Sequence, residues 1–83
     1  MDTKALKKLV EKYGVVQLET CIRQQLDKGE NACELVDKED AVIAALSEAG
    51  VVRELMDQGM TFAEALRELG HRIRKIYGEM SSS

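Results

Sequence analysis

Apolar positions recur along this chain at spacings of three and four residues, the period of amphipathic helices and not the two-residue alternation of strands. The spacing predicts a first helix from about Thr3 to Tyr13, with Leu6, Leu9, Val10 and Tyr13 on one face and Lys4, Lys7, Lys8, Glu11 and Lys12 on the other. Gly14 interrupts it. A second helix, about Val15 to Lys28, turns Val15, Leu18, Ile22 and Leu26 inward with Cys21 beside them, and Gly29 stops it. Asn31, with Glu34 three residues on, reads as a capping box that opens a third stretch. A fresh cap at Asp37 would split that stretch into a short turn and a helix from about Lys38 to Ala49, with Val42, Ile43, Leu46 and Ala49 inward. Gly50 is expected to end it, leaving Val51 to Gln58 as a brief helix that buries Val52, Leu55 and Met56.

The last helix carries the longest pattern. Thr61 is placed to cap it and Glu64 to close the box. Phe62, Leu66, Leu69, Ile73, Ile76 and Met80 then recur at alternating spacings of four and three, a heptad seam, with Ala63, Gly70 and Tyr77 one position on. Gly70 costs about 1 kcal/mol against Ala inside a helix, so close approach by another helix is expected there. The seam has two readings. Either it is the central strut of the domain's own core, with Leu69 and Ile73 buried at its middle, or part of it pairs with a second chain.

One turn is written twice, thirty residues apart. The segment from Leu26 to Glu34 is echoed by Met56 to Glu64, with Arg23 and Arg53, and Ile22 and Val52, extending the match upstream. Each copy reads as a helix ended by a left-handed Gly and followed at once by a new cap.

Composition agrees with the helical period. There is no Pro and no Trp, and the aromatic residues are Tyr13, Phe62 and Tyr77, so the core must be built of Leu, Val, Ile, Ala and Met. The expected architecture is a single all-α domain over residues 1–80, a compact bundle of four to five short helices, with residues 81–83 as a disordered tail. No apolar run approaches the roughly 18–20 residues that cross a bilayer, and the charged first helix has no signal-peptide core. A cytoplasmic location is the default. In that setting Cys21 and Cys33 are expected to be free thiols acting as small hydrophobes, without an intramolecular disulfide.

Chemistry is sparsely represented. His71 falls on the outward face of the last helix, away from any partner or cleft that a general base needs. Two Cys and one His lack zinc-site spacing. Asp37, Glu39 and Asp40 approach a calcium loop but lack its central Gly and terminal bidentate Glu. No pair of glycines is spaced to cradle a phosphate. No catalytic residue, metal site or cofactor is expected, and the chain is not read as an enzyme.

Arg67, Arg72, Arg74 and Lys75 form the candidate nucleic-acid surface. A net charge of −3 argues against phosphate gripping as the main task. An acidic start and a basic end are also what the helix dipole selects. The segment from Leu55 to Arg67 nevertheless resembles the turn and second helix of ribbon-helix-helix regulators, in which a Gly, an apolar residue and a Ser/Thr cap open a helix carrying Glu, an aliphatic pair and Arg. That resemblance covers about a quarter of the chain and implies DNA binding. It departs where the family places a basic or amide-bearing strand, since Ala32 to Asp37 offers Cys33, Glu34 and Asp37.

The function expected is therefore that of a small interaction or regulatory module, with a homodimer as one form of the association. Its partner-binding face would be Phe62, Leu66, Ile73, Ile76, Tyr77 and Met80. The alternative is a DNA-binding regulator using the last helix, in a ribbon-helix-helix-like or helix-turn-helix-like manner.

Overall fold

One helix, apolar around most of its circumference, organises the others. The computed structural model describes the backbone of residues 3–81 and the side chains of residues 3–74. Its elements are α1 (Thr3–Lys12), α2 (Val15–Lys28), α3 (Glu39–Asp57) and α4 (Phe62–Ser81), and no strand occurs among the described residues. The helix α3 is the most apolar and the least one-sided of the four, the signature of an element covered on several sides. Accordingly α1, α2 and α4 each pack against it. Val42, Leu46, Ala49 and Val52 of α3 are buried against Leu6, Leu9 and Val10 of α1, Leu18 and Cys21 of α2, and Ala65 of α4. Each fully buried Leu or Val contributes on the order of 1.5–3 kcal/mol.

This corrects the expected burial of Leu69 and Ile73 at the middle of a central α4 strut. Among the described side chains of α4 the buried one is Ala65; Leu69 is half-buried against the core, and Ile73 is half-buried outside the core cluster.

Gly50 does not end a helix either. The expected Lys38–Ala49 and Val51–Gln58 helices are one continuous α3. Nothing after Gly50 can cap a new start, because Val51 and Val52 follow. Ala45, Ala49 and Val52 also keep one buried face in register across the glycine. A Cβ built at Gly50 would meet no neighbour within 4 Å, and the same holds at Gly70, so no described residue makes the close helix approach expected at Gly70.

The two copies of the repeated turn fold differently. At the end of α2, Gly29 has φ +74° and its N–H donates to the Gln25 carbonyl, a simple left-handed cap. At the end of α3, Gly59 has φ +107° and donates to the Met56 carbonyl, while the Met60 N–H donates to that of Leu55. That is a Schellman motif, and Met60 and Leu55 supply the apolar contact that accompanies it. Glu30 stands where Met60 does and cannot make this contact.

The second corner then re-enters a helix at once. Thr61 Oγ1 accepts from the Glu64 N–H at 3.2 Å, and Glu64 Oε1 accepts from the Thr61 N–H at 2.9 Å, closing the expected box. The backbone and hydroxyl of Thr61 hold the Glu64 carboxyl below the usual glutamate range. After the first corner the chain stays irregular until Lys38. The helix α4 includes Ser81, and Ser82 and Ser83 lie outside the described residues.

Gly50→Ala should raise stability by about 0.5–1 kcal/mol, since the site is helical and open. Thermal unfolding checks it, and a loss would mean that the helix is broken there after all.

Candidate interaction surface

The helix α4 carries the expected apolar seam. Phe62, Leu66 and Leu69 lean on the core from its first two turns. Ile73 does not join that cluster. The side chains of Ile76, Tyr77 and Met80 lie outside the described residues, although their backbone continues α4. From Leu69 to Ser81 the helix extends about 18 Å at 1.5 Å per residue.

Of the basic residues expected as a nucleic-acid surface, Arg67 and Arg74 line one shallow depression together with Glu64, Glu68 and His71. Arg67, Arg72 and Arg74 are exposed; Lys75 lies outside the described side chains. Arg72 Nε pairs with Glu68 Oε1 at 3.2 Å, and Arg74 Nε donates to the Gly70 carbonyl. His71 is exposed. No strand forms over Ala32 to Asp37, so the DNA-reading ribbon of the family resembled is missing.

The loop before α3 is the feature furthest from expectation. Asn31 opens no helix. Gly29 turns the chain back along α2, and three residues of one α2 face then hold it. Gln25 Oε1 accepts from Asn31 Nδ2 at 2.9 Å, Gln24 Oε1 accepts from the Ala32 N–H at 2.9 Å, and Cys21 is disulfide-bonded to Cys33. Asn31 also clasps the loop across itself, donating to the Leu35 carbonyl and accepting from the Leu35 N–H. Glu34, expected as the third residue of a capping box, has φ +61° and cannot be helical.

The expectation of two free thiols is therefore corrected: both cysteines are buried and bonded to each other. The inward face of α2 shifts with them. Leu18, Cys21 and Gln25 are buried, while Leu26, expected inside, is 63% exposed.

Two polar contacts tie α1 into this frame. Arg53 Nη1 donates to the Val10 carbonyl at 2.7 Å, placing a cation at the C-terminal end of α1. Arg53 Nε lies 3.0 Å from Asp57 Oδ1, but its N–H is not aimed at that oxygen, so this is an ion pair and not a hydrogen bond. Sequence reading saw Arg53 only as part of the repeat. At the other side, Lys12 Nζ stands 3.6 Å from Glu34 Oε2 and 5.3 Å from the Tyr13 ring centroid. Tyr13 and then Glu34 hold the Lys12 ammonium above its usual range.

Between α1, the loop and α3 lies a groove of about 400 Å³. Ala5, Leu35, Ala41, Val42, Ala44 and Ala45 line it, Asp37 and Glu48 supply its charge, and Val36, also in the lining, is 96% exposed. Alanines at i, i+3 and i+4 on α3 leave a shallow channel where larger residues would fill it. Among the described residues no group of three or more His, Cys, Asp or Glu could hold a metal ion. Likewise, no described helix is long and apolar enough to cross a membrane. Comparison with known proteins finds no family model, no curated protein and no solved structure that matches this chain.

Opening the Cys21–Cys33 bond, which spans a separation of twelve residues, should lower stability by about 2–4 kcal/mol through loop-closure entropy. Unfolding of Cys33→Ala against the oxidised parent measures this. Two free thiols in denatured protein purified in air without reductant would contradict the bond itself.

Proposed function

We propose that this protein is a small non-catalytic interaction module that associates through the apolar face of α4. The observation that carries the reading is the mismatch between seam and core. Six seam positions run from Phe62 to Met80, yet among the described ones only Phe62, Leu66 and Leu69 pack against the domain. A heptad stripe of this length favours a partner helix, which needs no special chemistry to bind it. The partner-binding set is Phe62, Leu66, Ile73, Ile76, Tyr77 and Met80, of which Ile73 is the described residue that stands outside the core cluster. Self-association is the form we favour.

DNA binding through Arg67, Arg72, Arg74 and Lys75 is the weaker reading. Arg72 already faces Glu68, the helix carries Glu64 as well, and the chain as a whole is acidic. A cytoplasmic setting belongs to the same proposal; in a reducing compartment the Cys21–Cys33 bond would be open in much of the population.

Association by apolar burial should persist or strengthen in high salt, whereas phosphate binding should weaken steeply. Light scattering at low and high salt, beside a duplex-DNA binding assay, separates them. A strict monomer that holds DNA at low salt and releases it at high salt would overturn the proposal.

A further inference from the structure

We infer that the Cys21–Cys33 pair is a redox latch: opening the bond lets residues 32–38 take the helix that their sequence encodes, as an extension of α3. As the loop stands, α3 begins without a cap. Its N-cap position is Lys38, whose side chain makes no capping hydrogen bond, and Lys is not a residue that caps. One heptad upstream stand Asn31 and Glu34, the pair that a capping box needs. Ala32 to Lys38 contains no Gly or Pro to stop a helix in between.

The loop is strained where it departs from that helix. Glu34, at φ +61°, is the one non-glycine residue with positive φ among the described residues. Such a conformation persists only where its surroundings impose it. The imposing contacts are the bond from Cys33 to Cys21 and the hydrogen bonds that Asn31 and Ala32 donate to Gln25 and Gln24. The covalent one adjoins Glu34 directly.

Helical register supports the exchange. In the open form Leu35 falls in line with Val42 and Ala49, at i+7 and i+14, both buried. Cys33, about half a turn round from Leu35, swings to the opposite face and away from Cys21. The first corner then matches the second, where a left-handed Gly59, Met60 and the Thr61 cap join two helices. Leu35, Val36 and Asp37 leave the lining of the groove beside α1, so the latch also sets the shape of that groove.

The electrons come from a small-molecule thiol of the glutathione type. One thiolate attacks a sulfur of the bond, forming a mixed disulfide and releasing the other cysteine as a thiolate. A second thiolate attacks the mixed disulfide and leaves as the small-molecule disulfide. The pair gains two electrons and two protons, which the two thiols lose. Cys21 lines a cleft with Val16, Thr20 and Ala32, and this is where the thiol reaches the bond.

The test is backbone NMR of the full chain oxidised in air, reduced with dithiothreitol and reoxidised, for the parent and for Glu34→Gly. Glycine suits the positive φ of the loop and disfavours the helix. In the parent, the Cα shifts of residues 32–37 should move to helical values on reduction and return on reoxidation. Cys33 in the reduced protein should react with iodoacetamide about tenfold faster than Cys21, which stays in the core. Glu34→Gly should show no helical gain. Cys33→Ser should show the helical values without reductant, which keeps the test decisive if Glu34→Gly does not fold. Shifts of residues 32–37 that stay at their oxidised values, or move to random-coil values, would overturn the latch. So would a helical gain that Glu34→Gly retains, or unfolding of the whole chain on reduction.

Discussion

The burial of α3 is the constraint on which the rest of the structure depends. A nineteen-residue helix with Val42, Leu46, Ala49, Val52 and Leu55 buried is apolar on more than one side, so a single neighbour cannot cover it. Three helices are needed, and the connections are set by where each can reach it. The tight corner at Gly59 folds α4 straight back onto α3. Arg53 fixes the end of α1 on a different side by donating to the Val10 carbonyl.

Covering the third side demands more of the chain, because α2 must be linked to α3 by the segment from Gly29 to Lys38 without a helix there. Cys33 of that segment is buried in the core and Leu35 packs against it. It is also held by Gln24, Gln25 and Cys21 along one face of α2. Such a staple costs α2 some apolar burial, which is why Gln25 is inside and Leu26 outside. It also forms one wall of the alanine groove, so the disulfide and the groove belong to one local arrangement. Asp37 and Val36 stand where they do because Cys33 and Asn31 are fixed a few residues earlier.

Much of this was legible from residue spacing, and the failures share a cause. The bounds of α2 follow directly from Gly14 and Gly29, and the Thr61–Glu64 box formed as its grammar required, because both signals act within one turn. Asn31 and Glu34 satisfied the same grammar and did not form a box. There, a bond to Cys21 and a hydrogen bond to Gln25 outweighed a cap of the usual 0.5–2 kcal/mol.

Glu30 in place of Met60 was the available sign that the two corners differ, since only an apolar residue completes the Schellman contact. Gly50 misled because a glycine was taken as a stop without asking whether Val51 and Val52 could start anything. For the site, the α4 seam was readable as a heptad pattern. The groove was not, because it is assembled from small residues of three segments, and an alanine has no pattern until its neighbours are known.

The central claim is that α3 is the core around which the other helices pack, and the proposed use of the end of α4 by a partner rests on it. Native-state hydrogen exchange of dilute protein tests it most directly, because amide protection reports local opening residue by residue. The account predicts the slowest exchange over residues 42–55 of α3, fast exchange in α4 beyond Leu69, and slowing of that α4 segment as concentration rises. Protection through residues 70–80 equal to that of α3 in dilute protein, unchanged by concentration, would contradict it.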